Sequence, residues 1–190
     1  MDYQISYACM SHIGRRRRMN QDNFLCGGIY AKPDQPGRGR APITGSVTSA
    51  QTSLFGVFDG MGGEANGEQA ALLCAQTLHQ CSSDEPFDAL DFFRRANVAV
   101  CDMIAASGQI GGSTAATVHL TGNRAYCCNV GDSRIYLQRG GALQRISRDH
   151  AKYQEQLDAG AAAADAADDP GGHVLPQYLG MLGAGQRRLP

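Results

Sequence analysis

Tyr3, Ile5, Tyr7 and Cys9 alternate with smaller or more polar neighbours, the two-residue period of a half-buried strand. Gly14 interrupts that period. Residues 31–53 carry Pro33, Pro36 and Pro42 among glycines, serines and threonines, which predicts an exposed loop between strands. Leu54 to Phe58 is then an unbroken apolar run with Val and Phe, suited to a buried strand. The period lengthens afterwards. Residues 67–80 predict a helix, and residues 86–106 a second one. In the second, Leu90, Phe93, Val100 and Ile104 recur at helical spacing, with Arg94 and Arg95 toward solvent. An antiparallel meander follows: a small-residue strand over 113–120, a turn at Gly122-Asn123, and a return strand over 124–130. Strands over 135–138 and 143–146 continue it, separated by Gly140-Gly141. Residues 151–159 predict a short helix closed by Gly160. Residues 161–172 are mostly Ala and Asp with little pattern, and 174–182 are apolar again.

The sharpest change of character along the chain falls at Asp59. A carboxylate at the tip of a buried strand is costly unless something pairs with it. Gly60, Gly62 and Gly63 follow it directly, and glycine lets a backbone carbonyl approach a bound ion closely. Such a strand tip can seat a divalent cation among oxygens. It can equally be a strand-to-helix turn with an acidic cap. Upstream, Arg15-Arg16-Arg17-Arg18 is either a solvated basic loop or a phosphate clamp, since a guanidinium fork matches phosphate oxygens. If it is a clamp, Asp22 faces a metal from the other side. Gly131-Asp132-Ser133-Arg134 forms a second acidic turn. The GGST at 111–114 lacks the lysine of a nucleotide-binding loop.

Composition narrows this picture only a little. A chain of 190 residues, 43% hydrophobic and 18% charged, suits a single domain over 1–190. A net charge of −1 gives no global pull toward nucleic acid or membrane. The N-terminus has neither the basic nor the apolar part of a signal peptide. Seven cysteines, without a C-x-x-C pair, fit a reduced cytoplasmic protein with buried thiols. The five histidines show no zinc spacing.

Taken in order, these pieces resemble the type 2C (PPM) metal-dependent protein serine/threonine phosphatases in their bacterial form. Gly14-x-x-Arg17-x-x-Asn20-Gln21-Asp22 is similar to that family's opening motif. Asp59-Gly60-Met61-Gly62-Gly63 with Gly67-Glu68 resembles its metal motif. Gly112-Ser113-Thr114-Ala115 and Asn129-Val130-Gly131-Asp132-Ser133-Arg134 match the strands after it. Asp149-His150 and residues 175–180 match the approach to the flap and the strand beyond. The resemblance implies an α+β fold: two stacked antiparallel β-sheets flanked by helices, with 151–173 as a flap-like segment. It implies hydrolysis of phosphoserine and phosphothreonine in proteins. Two Mg²⁺ or Mn²⁺ ions about 3.5–4 Å apart share one aspartate and activate a bridging water. Asp59 becomes the bridging ligand, the Gly60 carbonyl a ligand to one ion, and Asp22 a ligand through water. Arg17 grips the phosphate, and Asp132 helps a third, weaker ion. The implied partner is a phosphorylated protein, such as a bacterial Ser/Thr kinase or its substrate.

The chain departs from that pattern twice. Met61 stands where some members carry a histidine proposed to protonate the leaving group, so the general acid must be water or another group. Nothing from Gly180 to Pro190 resembles the Ser-Asp-Gly and Asp-Asn motifs that bring aspartates to the other ion. Two dications about 4 Å apart repel by roughly 16 kcal/mol at an effective dielectric of 20, and Asp59 with Asp22 are a thin counterweight. The expectation for these residues alone is one tightly held ion, poor catalysis and open sheet edges that invite pairing. A non-catalytic module that binds a phosphoprotein or kinase through Arg15 to Arg18 is the competing expectation.

Overall fold

The computed structural model describes residues 3–32, 42–48, 53–62, 66–84, 86–163, 166, 169 and 171–181. Gly63 of the metal motif therefore lies outside the described residues, as does Leu182.

The centre is a four-stranded antiparallel sheet in the order β2-β4-β7-β8. These strands are β2 (Asn23–Leu25), β4 (Ser53–Phe58), β7 (Ala115–Thr121) and β8 (Arg124–Val130). Alternation divides its faces. Leu54, Gly56 and Phe58 point toward the helices α1 (Asn66–Cys81) and α2 (Ala89–Ser107), which pack on each other. Gly56 is needed there, because a Cβ would stand 2.7 Å from a Leu78 methyl. Phe58, Leu78, Phe92 and Val100 are fully buried in this layer.

The opposite face carries Phe55 and meets a second sheet. There β1 (Gln4–Cys9) pairs with β3 (Ile43–Thr48), with Ile5 opposite Val47 and Cys9 opposite Ile43. The Tyr7 ring joins the two sheets, 5.6 Å from the Phe55 ring. It occupies space that a Cβ on Gly27 or Gly45 would fill, at 2.0 and 2.3 Å from its hydroxyl. The stacked-sheet architecture with flanking helices stands as the sequence implied.

Several expectations need correction. The loop expected over 31–53 contains β3. Ile43, Gly45 and Val47 alternate with Thr44, Ser46 and Thr48, and β1 supplies the partner that makes this polar sequence a strand. The meander does not continue through the central sheet. Instead β9 (Tyr136–Arg139) and β10 (Ala142–Arg145) form a separate ribbon, with Gly140 and Gly141 both at positive φ in its turn. Leu90 is 52% exposed, and Phe92 fills the core position instead.

Helix ends follow local chemistry. The Asp88 side chain accepts the Leu90 N–H (2.8 Å), and Gly108 closes α2 in the left-handed region. After α3 (Lys152–Asp158), Gly160 turns the chain at φ 93. Leu179 exchanges backbone hydrogen bonds with Ser113, and Gly180 N–H donates to Asn97 Oδ1 (2.8 Å). All seven cysteines are free thiols; Cys127 is exposed, whereas Cys26, Cys74, Cys81 and Cys101 are buried. Among the described residues no helix is long and apolar enough to cross a membrane.

Candidate metal and phosphate site

Asp59 leaves β4 just before the two-residue strand β5 (Gly60–Met61), which pairs with β6 (Gly112–Ser113). Thr114 fixes its backbone from both sides. Asp59 N–H donates to Thr114 Oγ1 (3.0 Å), and Thr114 N–H donates to the Asp59 carbonyl (2.9 Å). The Thr114 hydroxyl also lies 2.6 Å from the Ser133 hydroxyl, next to Asp132. The two acidic turns are thus joined through one buried side chain.

Gly60 sits in a cradle of carbonyls. A Cβ there would lie 2.0 Å from the Gly67 oxygen and 2.6 Å from that of Gln21, so no other residue fits without moving backbone. Gln21 Nε2 donates to the Gly62 carbonyl (3.0 Å) and ties the opening motif to the glycine turn. Asn20 is buried. It donates to Ser11 Oγ (2.7 Å) and accepts the Asp22 N–H (3.1 Å), which orients Asp22 toward Asp59.

The electrostatics follow from this crowding. The Asp59 and Asp22 carboxyls are close enough for one, when protonated, to donate to the other. Both side chains are open to solvent on one side, and partial desolvation by the surrounding chain, then the negative charges of Asp22 and Asp132, push Asp59 up to about 6, against the pull of Arg17. Partial desolvation also raises Asp22, opposed by its hydrogen bond to Asp59 and by Arg17. The two titrate as a pair. A cavity of about 710 Å³ opens beside them, walled by Arg17, Asp59, Gly60 and Asp132 together with Met61 and His173. Arg15, Arg16 and Arg18 are exposed and do not line the cavity.

This donor set suits a hard cation: carboxylate oxygens with an unmet negative charge, beside a glycine whose carbonyl stands in a backbone-lined turn. No three His, Cys, Asp or Glu side chains among the described residues converge as a closed metal cage. An ion held by Asp59, Asp22 and the Gly60 carbonyl would therefore complete its shell with water, as Mg²⁺ and Mn²⁺ commonly do.

A third set of residues gave no functional signal in the sequence beyond the Asp149-His150 match. Asp149 is buried and takes Arg134 Nε at 2.8 Å, Arg145 at 3.4 Å and the Tyr153 hydroxyl on one oxygen. The bond to Asp149, and then the Tyr136 hydroxyl, hold the Arg134 guanidinium well above its ordinary range. His150 N–H donates to the Gly131 carbonyl (2.9 Å). Together they hold the second acidic turn against α3.

The family model for protein phosphatase 2C matches residues 41–156. Sheets, acidic turns and sequence agree: the chain belongs to the protein phosphatase 2C family. Among named relatives, it is 34% identical over 155 residues to the serine/threonine protein phosphatase PstP of Mycobacterium tuberculosis. That alignment covers 78% of this chain and 29% of PstP, so the chain spans under a third of the relative's length. In three dimensions it is similar to PppA, a key regulatory component of T6SS in Pseudomonas aeruginosa. The TM-score is 0.70 at 28% identity, covering 99% of this chain and 69% of PppA. The catalytic domain of PstP in complex with two manganese ions gives a TM-score of 0.70 at 26% identity, covering 95% of this chain and 68% of that domain.

Proposed function

We propose that this protein hydrolyses phosphoserine and phosphothreonine in proteins with the help of Mg²⁺ or Mn²⁺. The observation that carries the reading is the charge arrangement on one cavity. Asp59 and Asp132 present negative charge, Asp22 adds to it next to Asp59, and Arg17 presents positive charge on the same cavity. A cation held by Asp59, Asp22 and the Gly60 carbonyl would offset the first side, and Arg17 would hold the phosphate dianion from the other. When bound, the cation lowers the pKa of a coordinated water and neutralises charge building on the phosphoryl oxygens.

The chain's own residues do the rest. Arg17 orients the phosphate so that one face meets the water and the other carries the seryl or threonyl oxygen. Asp22 and Asp59 hold the negative charge that keeps the cation in place. Thr114 and Asn20 keep those carboxylates from swinging away. Asp132, at the edge of the same cavity, supports a further weak ion. Phosphate release from a phosphothreonine peptide should require Mn²⁺ and vanish in Asp59→Asn. Equal activity in that variant refutes the proposal. A manganese titration by calorimetry should find one tight site in these 190 residues; two tight sites overturn that part.

One observation favours a second reading. Arg15 to Arg18 are all exposed on one loop, which fits a module that binds phosphoproteins without turning them over. Its partner is a phosphorylated kinase or kinase substrate. Phosphopeptide binding that persists in EDTA and in Asp59→Asn supports it.

A further inference from the structure

His173 stands on the wall of the same cavity as Arg17, Asp59 and Asp132. It also borders an adjoining cavity of about 480 Å³ with Asp132, Arg134 and Tyr153. Its side chain is exposed, yet its backbone is firmly placed. Tyr153 N–H donates to the Gly172 carbonyl (2.9 Å), and Lys152 N–H donates to that of Val174 (3.0 Å). Both neighbours of His173 are therefore bonded to the first turn of α3. Gly172 is buried, and a Cβ on it would stand 3.0 Å from the Asp169 carbonyl and 3.1 Å from that of Ala166. The Tyr153 ring lies 5.9 Å from the imidazole. A flap-like segment thus offers one histidine to the cavity from a fixed frame.

Hydrolysis of an alkyl phosphate must expel an alkoxide, which leaves readily only once protonated. Around the cavity, Met61 has no proton to give, and a guanidinium such as Arg17 does not release one. Asp59 and Asp132 are turned to charge balance. An imidazolium gives up its proton near neutrality. Tyr178 is the competing donor. Its ring packs where a Gly112 Cβ would be, at 2.6 Å. The charged and titratable groups that share a cavity with His173 are Arg17, Asp59, Asp132 and Tyr178 on one side and Asp132, Arg134 and Tyr153 on the other, with Asp169 accepting the Gly171 N–H beside it.

Resting on the hydrolase reading above, we propose that His173 is the proton donor to the leaving seryl or threonyl oxygen. Water forms the new bond to phosphorus as the bond from phosphorus to the side-chain oxygen breaks. The imidazolium proton passes to that oxygen and releases the hydroxyl. The water keeps one proton on the phosphate and loses the other to solvent, from which His173 is reprotonated.

The test compares leaving groups in His173→Gln and His173→Asn against the parent chain, with Mn²⁺ present. Turnover of a phosphothreonine peptide should fall by ~10²-fold or more, the size of a lost general acid. Turnover of p-nitrophenyl phosphate, whose phenolate leaves unassisted, should change little. Peptide affinity by fluorescence anisotropy and the melting temperature should also hold. Equal losses on both substrates, or no loss on either, overturn the proposal and leave the hydrolase reading intact. A leaving-group-dependent loss in Tyr178→Phe and not in the His173 variants also overturns it. A parent chain inactive on both substrates overturns the hydrolase reading, and this one with it.

Discussion

Replacing Asp59 with Asn should stabilise the metal-free protein at neutral pH while abolishing its response to Mn²⁺. Asp59 is raised from 3.8 to about 6, first by partial desolvation and then by the charges of Asp22 and Asp132. The sign follows from linkage. The folded state holds this proton more tightly than the unfolded chain, so stability falls as pH rises from about 4 through about 6. A shift of about two units corresponds to roughly 3 kcal/mol. Because the carboxyl opens onto a solvent-filled cavity, screening reduces this to about 1–2 kcal/mol. Asn carries no charge, so the variant escapes that cost above pH 6. For a chain of this size, 1–2 kcal/mol is worth about 2–8 °C in melting temperature. In the parent chain, Mn²⁺ at a hundred times its dissociation constant should restore about 2.7 kcal/mol. Thermal melts from pH 4.5 to 8, in EDTA and in Mn²⁺, measure both effects. The difference between the two proteins should open between pH 4 and 6 in EDTA and reverse with Mn²⁺. A variant that melts with or below the parent at pH 7.5 in EDTA would show that Asp59 is not in a crowd of like charges.

Three other substitutions probe the framework of the site. Gly60→Ala puts a Cβ 2.0 Å from the Gly67 carbonyl, and backbone must yield; chemical denaturation should show a loss of about 1–3 kcal/mol, with weaker Mn²⁺ binding by calorimetry. Thr114→Val keeps the shape but orphans the Asp59 N–H and the Ser133 hydroxyl, at a cost of about 1–3 kcal/mol in the same assay. Asp88→Ala removes the cap of α2 far from the cavity; it should cost about 0.5–2 kcal/mol and leave Mn²⁺ affinity unchanged, which separates stability from site effects.

The sequence disclosed most where one short stretch decides its own conformation. The boundary at Phe58 and Asp59 is abrupt, and the glycines after it allow few alternatives, so the strand tip was legible. The helices were legible within a few residues because their apolar spacing repeats for several turns. What depended on distant partners was not. The alternation in β3 is plain once β1 lies beside it, but Thr, Ser and Gly gave it the look of a loop. Nothing local says that β9 and β10 turn away from the central sheet. The arginine run, Asp22 and the turn at Asp132 stood out in the sequence and the resemblance gave them roles; their shared field on Asp59 is a product of the fold. His173 gave no sign at all, because its position is set by backbone bonds between α3 and residues 172–174.

The Thr114 hydroxyl touches the amide of one acidic turn and the serine of the other. Whatever rigidifies either turn must therefore slow the opening of both. In amide hydrogen exchange, loading a cation near Asp59 should protect residues 131–134 as well as 59–62, although some seventy positions of chain lie between them.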